Sequence, residues 1–291
     1  MFDEVTDLRP FMIGLGGDSG SGKKTMSEAL SSVVGEENLL VISMDGYHKW
    51  SRKEMKEKVI THLNPECNRL QLAVEHAKQF KAGKSVWKGI YDHATGEFTE
   101  PVKTDPKKFV LVMGLHPYHL REMRKLFDFT IFLSPDEDIR KEWKIYRDIK
   151  KRGYTRDEVI GILAQRKPDS VAYIKSQEQY ADLVVNYFAL GDIQGKALDG
   201  KLGASFIYRS DPKADLRLMR KLFKDQDMYA ALEGNALTVT GDNDNSSVSE
   251  MAKILFDPDR SVIQKNVDWK SGVPGICQLL FALELDRRYM I

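Results

Sequence analysis

At 291 residues, with 44 Lys+Arg against 43 Asp+Glu and a formal charge of +1, the chain can bury a substantial core and has no global bias toward nucleic acid or a membrane surface. Cys67 and Cys277 lie far apart with no C-x-x-C spacing, which argues against a zinc site or a disulfide scaffold and fits a reducing compartment. The opening MFDEVTDLRP is neither a signal peptide nor an arginine-rich transit peptide, and no apolar run reaches membrane-spanning length; a soluble, cytoplasmic protein without nucleic-acid or membrane partners is expected.

The first element is the stretch Phe11 to Met26, FMIGLGGDSGSGKKTM. A short apolar run meets a glycine-dense turn and a lysine, then continues into the helical pattern TMSEALSSVV. Gly17, four residues, Gly22 and Lys23 match G-x-x-x-x-G-K. Such a loop turns backbone N–H groups and a helix N-terminus toward phosphate oxygens while its lysine reaches the β/γ-phosphates. Gly17, Asp18, Ser19, Gly20, Ser21, Gly22 and Lys23, with Lys24 and Thr25 after them, are therefore the expected nucleotide-binding residues. The next position calls for a Ser or Thr hydroxyl to reach Mg²⁺, and this chain has Lys24 there, with Thr25 one place late.

Asn38 to Met44 reads as a buried strand ending at Asp45, and Leu70 to Phe80 as a helix with Leu70, Val74, Ala77 and Phe80 on one face. Gly83 to Lys107 reads as a hairpin or irregular excursion around the turn signal Thr95-Gly96. Phe109–Met113 and Phe129–Leu133 are further strands. Ser134-Pro135-Asp136-Glu137 supplies an N-cap, a first-turn proline and a capping-box glutamate for a long helix to about Lys151. Gly153 breaks it, and Thr155-Arg156-Asp157-Glu158 starts another that Pro168 interrupts. Leu183 to Phe188 is the last strand of the block. Strands alternating with helices over the first 190 residues imply an α/β fold with a parallel sheet covered on both faces.

A composition shift at Leu190 to Gly195 marks a boundary, giving a core at 1–195 and a C-terminal α/β extension at 196–291 that continues the sheet or forms an oligomer interface. The extension is predicted to hold strands at Ala204–Arg209 and Ala236–Thr240. Its predicted helices run from Pro212 to about Lys224, from about Ser249 to Phe256, and from Gly275 to Tyr289. Gly241 to Ser247 reads as a polar turn.

Three charged constellations stand out. Asp45, at the end of a strand, suits a carboxylate that takes the proton of an attacking hydroxyl, and equally suits a turn cap. His48, Arg52 and Lys56 share one face if their segment is helical, forming a cationic patch for a phosphorylated small molecule; a solvated charged face has the same pattern. Lys144, Arg147 and Lys151 share a helical face with Asp148 beside Arg147, either a phosphate clamp or surface salt bridging. Arg166-Lys167 is a further basic pair.

Taken together, GDSGSGK, VISMDGYHKWSRKEMKEK, IYDHATGEF, VLVMGLHPY, WKIYRDIKKRGYT and AQRKPDSVAYI resemble the phosphoribulokinase/uridine kinase family of P-loop kinases, and phosphoribulokinases within it. The resemblance covers most of residues 11 to 190, and GICQLLFALELDRRYM continues it more weakly. It implies a P-loop kinase fold with a mainly parallel sheet, mixed at its edge and flanked by helices. The implied reaction is transfer of the ATP γ-phosphate to ribulose 5-phosphate. It further implies Asp45 as base, Lys23, Arg147 and Asp148 at the reacting centre, and Arg152 and Arg166 on phosphates. His48, Arg52, Lys56, Tyr91, His93, His116 and Lys144 fall to the sugar phosphate, ATP and Mg²⁺ are the expected cofactors, and a homodimer is the expected assembly.

Two departures concern the metal. Lys24 stands where the family carries a hydroxyl, and Met113 where it ends the strand with a glutamate, so neither usual Mg²⁺ contact is present and only Asp45 or Asp148 remains to recruit the ion. Ser21 and Ser43 stand where photosynthetic eukaryotic members carry a redox cysteine pair, which excludes that switch. The alternatives are a catalytically impaired pseudokinase of the same fold and a kinase of uridine or another small molecule.

Overall fold

The computed structural model describes residues 9–55, 57–58, 60–92, 94–191, 202–241 and 244–290. β1 (Phe11–Gly17) is buried along its whole length and leads through the glycine loop into α1 (Lys23–Val34). β2 (Leu39–Ser43) is followed by a 3₁₀ turn at Met44–Tyr47, the short α2 (Arg52–Met55) and α3 (Leu70–Lys81). β3 (Val86–Lys88) and β4 (Val102–Thr104) pair antiparallel, with Tyr91 bridged to Phe98 between them, so the expected excursion is a small hairpin outside the main sheet. Next come β5 (Phe109–Gly114), α4 (Arg121–Arg124), β6 (Phe129–Leu133), α5 (Glu137–Arg152), α6 (Arg156–Asp169) and β7 (Leu183–Ala189). The C-terminal part contributes β8 (Leu202–Tyr208), α7 (Leu216–Asp225), β9 (Tyr229–Glu233), β10 (Ala236–Thr240), α8 (Asn245–Leu255) and α9 (Gly272–Tyr289).

One eight-stranded sheet runs in the order β2-β5-β1-β6-β7-β8-β10-β9. The first five strands are parallel, and β8, β10 and β9 join antiparallel to their neighbours. β1 lies centrally, with Leu15 opposite Met113 on one side and Ile131 on the other. The loop leaving β1 therefore opens at the carboxyl ends of the parallel strands, where α/β sheets form their ligand crevice. α9 returns to the first helix: Ile276, Leu279 and Leu280 share the apolar core with Met26, Leu30 and Val33, and Gln278 Nε2 donates to Ser32 Oγ at 2.6 Å. The C-terminal part thereby buries the back of the helix that carries the phosphate loop.

Several local expectations shift. α5 begins at Glu137 with Asp136 at its N-cap, and Ser134 Oγ donates instead to Glu178, across to the segment before β7. Thr155 and Glu158 do form a reciprocal capping box. Pro168 does not end α6. The helix runs on to Asp169 and passes into a π turn at Ser170–Ile174, the kind of widening that accommodates a residue without an N–H. α8 starts at Asn245, capped by Asp244, inside the predicted polar turn, and α9 starts three residues before the predicted Gly275. The proposed boundary falls largely on residues outside those described.

Gly14 and Gly16 in β1 are explained by one ring. A Cβ at Gly14 would lie 2.6 Å from Tyr118 Cε1, and one at Gly16 would lie 2.9 Å from Tyr118 Cε2. The Tyr118 hydroxyl donates to Ile131 O at 2.7 Å and accepts from Ile131 N at 3.0 Å, pinning the ring across β1 and β6. Gly14→Ala should therefore destabilise the protein by about 1–3 kcal/mol through overpacking. In urea unfolding, the same substitution in a Tyr118→Leu background should cost clearly less, and equal costs in both backgrounds would refute the contact.

Candidate active site

The loop after β1 is shaped by three glycines with positive φ, Gly17 (+150°), Gly20 (+89°) and Gly22 (+90°). A Cβ at Gly17 would lie 2.5 Å from Ser21 Oγ, and one at Gly20 would lie 3.0 Å from Lys144 Cβ, so both steric room and backbone handedness require glycine. Gly22 is the N-cap of α1, whose first-turn amides have no intrahelical acceptor and face the loop interior. Lys23 Nζ donates to the carbonyls of Gly17 (2.6 Å) and Asp18 (2.8 Å). Burial pulls its pKa down to about 8 against the opposing pull of Asp18 and Asp45. The loop thus offers left-handed backbone, a helix N-terminus and a desolvated ammonium around one small volume.

Asp18 ties that loop to two other elements. Its Oδ2 accepts from Ser170 Oγ at 2.5 Å and lies 3.4 Å from Arg140 Nη1, while Arg140 also donates to Ser19 O at 2.9 Å. Burial opposes the Arg140 charge, but Glu137 and Asp18 outweigh it and raise its pKa. A cavity of about 200 Å³ opens here, lined by Asp18, Ser19, Arg140, Lys144, Arg166 and Lys175 among others. Arg140 and Ser170 were not singled out from sequence. Arg140 lies one helical turn before Lys144, so extending the basic stripe of α5 toward its N-terminus would have found it.

The stripe itself faces inward. Lys144 and Asp148 are both 1% exposed and meet at 2.6 Å, and Asp148 also accepts from Arg147 at 2.9 Å with Arg152 at 3.3 Å. Burial alone would raise the Asp148 pKa, but Lys144 and the two guanidinium groups bring it below the usual carboxylate range. Burial takes Lys144 down to about 8. Arg147 reaches Ser19 Oγ at 3.3 Å, which puts a guanidinium on the rim of the glycine loop. Arg166 and Arg152 are both lowered by burial and then by neighbouring arginines, Arg152 itself feeling Arg147 and Arg52. Arg52, Arg147, Arg152 and Arg166 therefore crowd one region, where Asp148 draws on Arg152 and Arg166 and Asp18 also draws on Arg166. Lys151 is exposed and takes no part.

On the opposite wall, β2 ends in Ser43, whose Oγ accepts from Asp45 N at 3.3 Å, and Asp45 follows in the 3₁₀ turn. His48 Nε2 lies 3.5 Å from Asp45 Oδ1. His48 and Arg52 do not share one helical face, because the 3₁₀ turn ends at Tyr47 and His48 pairs with Asn68 before α2 begins. Arg52 instead packs on the hairpin: its N–H donates to Gly96 O at 2.8 Å and its side chain bonds Tyr91. Tyr91 stands edge-on to the His48 ring at 5.4 Å. His116, after β5, is buried with neither ring nitrogen hydrogen-bonded; the His62 backbone approaches without completing a bond. Burial holds both His116 and His62 at about 3, so both are neutral at pH 7. Lys56 and His93 lie outside the described residues.

The metal side is different. Lys24 is 76% exposed on α1 and sits 3.5 Å from Glu28, so it does not supply a second ammonium inside the loop; Thr25 is exposed beside it. Met113, next to last in β5, packs half-buried against the main apolar core. Asp148, expected as one candidate metal ligand, is saturated by three cations. No cluster of three His, Cys, Asp or Glu side chains able to hold a metal occurs among the described residues. Of the expected donors, Lys24, Met113 and Asp148 offer Mg²⁺ no open oxygen, and only Asp45 could hold it together with phosphate oxygens.

No helix among the described residues is long and apolar enough to cross a membrane. The family model described as "Phosphoribulokinase / Uridine kinase family" matches residues 12–194. A phosphoribulokinase of Synechocystis sp. is 40% identical over 188 residues, covering 65% of this chain and 57% of that protein. A uridine kinase of Lactiplantibacillus plantarum is 34% identical over 183 residues, covering 61% of this chain and 87% of that protein. The chain spans about half the length of the curated phosphoribulokinases it matches. The structure of phosphoribulokinase from Rhodobacter spheroides superposes with a TM-score of 0.67 at 18% identity, over 95% of this chain and 99% of that one, so the fold is shared through the C-terminal strands as well. By its matched core and its glycine loop, the chain belongs to the phosphoribulokinase/uridine kinase family.

Proposed function

We propose that the protein is an ATP-dependent kinase that phosphorylates D-ribulose 5-phosphate to ribulose 1,5-bisphosphate. The observation that carries this reading is that Asp45 lies near enough to Lys23 of the glycine loop for its carboxylate to oppose the fall in the lysine's pKa, with Arg147 donating to Ser19 of the same loop. Gly17 to Lys23 cradle the nucleotide phosphates, and Lys23 and Arg147 neutralise charge on the transferred group. Asp45 accepts the proton of the attacking hydroxyl while the oxygen keeps the electron pair that forms the new O–P bond. Arg52, Tyr91 and His48 orient the substrate, with Lys56 and His93 assigned there by resemblance alone. Arg152 and Arg166 serve phosphate oxygens, and His116 and Lys144 support the site as neutral ring and buried ammonium. A cluster of partly buried arginines favours a substrate that already bears phosphate over an uncharged nucleoside.

Within this reading the kinase core is residues 1–195, and residues 196–291 extend the sheet. A homodimer fits the terminal strand β9, whose Tyr229 is 62% exposed. A cytoplasmic setting suits the two free buried cysteines.

A second reading, a nucleotide- or sugar-phosphate-binding protein without turnover, is favoured by Lys24 and Met113, which remove the two expected metal contacts. No step above is routed through Mg²⁺. An assay of ADP release with ribulose 5-phosphate, with and without Mg²⁺, separates the two: turnover that Asp45→Asn cuts roughly 10²-fold or more supports the kinase. No turnover from folded protein selects the binding protein, and turnover with uridine alone selects a nucleoside kinase. Lys24→Ser combined with Met113→Glu should raise kcat by roughly 10²-fold, and an unchanged rate would refute the metal argument.

The lowered pKa of Lys23 sets a pH dependence. The group is charged below about 8 and neutral above it, and a phosphate ligand favours the charged form. ATP affinity is therefore held at lower pH and lost as pH rises through about 8, by up to roughly tenfold per pH unit for one linked proton. Calorimetric titrations at several pH values should show this slope, and Lys23→Met should flatten it; an unaltered slope in the variant would remove Lys23 from the role.

A further inference from the structure

His48 carries two distinct ring nitrogens, and its surroundings decide which holds the proton. Its Nδ1 lies 2.7 Å from Asn68 Oδ1, and both side chains are buried. The Asn68 amide cannot be turned round. Its Nδ2 donates to His62 O at 3.3 Å and to Asn64 O at 3.1 Å, and carbonyl oxygens only accept. A flipped amide would set its oxygen against two carbonyls. With Oδ1 facing the ring, Nδ1 must be the donor, so a neutral His48 has its lone pair on Nε2.

The backbone holds this arrangement in register. Arg69 N donates to Tyr47 O at 2.7 Å and Lys49 N to Cys67 O at 2.8 Å, bracketing the His48–Asn68 pair between two bonds. The ring is also packed on both sides, with the neutral His62 ring 4.5 Å away and Tyr91 at its edge. Nε2 is left beside Asp45 Oδ1 at 3.5 Å, two acceptors side by side at the end of β2. A pair of acceptors at that spacing is suited to a hydroxyl hydrogen brought between them.

We propose that Asn68 is a positioning residue that locks His48 in the Nδ1–H tautomer, so that Nε2 shares with Asp45 the proton released by the substrate hydroxyl. The second half rests on the kinase reading; the first does not. In the step, the substrate O–H bond breaks, its electron pair stays on the attacking oxygen, and the proton taken by Asp45 passes to Nε2. Imidazolium and carboxylate are then left as an ion pair, with Nδ1–H still donating to Asn68. In the opposite tautomer Nε2 would carry a hydrogen, donate to Asp45 and have no capacity to receive the proton.

The test is a long-range ¹H–¹⁵N spectrum of histidine-labelled full-length protein, with His48 assigned by His48→Gln and the pH high enough for its ring to be neutral. An Nδ1–H, unprotonated Nε2 pattern is expected, and an Nε2–H pattern overturns the proposal whatever the activity. Asn68→Leu should release the tautomer and lower kcat roughly 10²-fold with the KM for ATP unchanged, whereas Asn68→Asp, which retains the acceptor, should keep both the spectrum and most of the rate. If Asn68→Leu does not fold, the wild-type spectrum and Asn68→Asp still decide the matter. An Nδ1–H His48 in a protein without turnover upholds the Asn68 assignment and counts against the kinase reading instead.

Discussion

The carboxylate of Asp148 is out of water and faces Lys144, Arg147 and Arg152, and the cationic wall of the cleft is organised around it. A buried ammonium without a partner is among the most costly arrangements in a protein, and removing one member of such a cluster typically costs about 3–5 kcal/mol. Asp148 settles that cost for Lys144 and fixes the direction in which Arg147 leaves α5, toward Ser19 of the glycine loop. It does not neutralise the whole group. Arg52 and Arg166 add positive charge to the same region, Arg166 also feeling Asp18. In the proposed kinase this charge is balanced by an anionic ligand such as phosphate.

The glycine loop depends on that wall in turn. Gly20 lies against Lys144, Asp18 bonds Ser170 beyond α6, and Arg140 joins Asp18 to Ser19. Three successive elements, β1, α5 and the π turn after α6, thus grip a loop of seven residues whose backbone conformation is available mainly to glycine. On the far side, Asp45 and His48 are fixed by the end of β2 and by the strand-like pairing with Asn68 rather than by a helix. Chemistry is set between two rigid walls. On the metal side, an exposed lysine and a packed methionine occupy the positions where the resemblance leads one to expect oxygen donors.

Much of this was legible in the sequence because it depends on local patterns. The glycine loop announces itself by spacing, and its outcome is local: positive φ at Gly17, Gly20 and Gly22, followed at once by α1. β1, β5 and β6 are continuous apolar runs because strands buried on both faces have no solvent side to alternate with, whereas β2 at the sheet edge exposes Val41 despite its apolar sequence. The capping box at Thr155 is likewise a matter of neighbours. By contrast, β9 was missed, since Tyr229 to Glu233, at a sheet edge, has no β-branched residue and no alternation of apolar and polar side chains. The Ser134 cap failed because α5 begins at Glu137 with Asp136 at its N-cap, which leaves Ser134 two residues outside the helix, where its hydroxyl donates to the remote Glu178.

Charge was the least readable property. The same i, i+3, i+4 spacing describes a solvated helix face and a buried phosphate clamp, and only the packing of α5 against the loop leaves Lys144 and Asp148 dry while Lys151 stays in water. His48, Arg52 and Lys56 posed the same ambiguity and resolved the other way, into separate attachments to Asn68 and the hairpin for the two residues described. Residue type and spacing alone determined the strand–loop–helix for phosphate, the order of the parallel strands' sequences and the loss of the usual metal donors, because each follows from bonds between near neighbours or from the identity of a side chain. Tertiary structure decided which charges are buried, which carboxylate is already spent on cations and which nitrogen of His48 faces Asp45, because desolvation and hydrogen-bond direction depend on atoms brought together from distant parts of the chain.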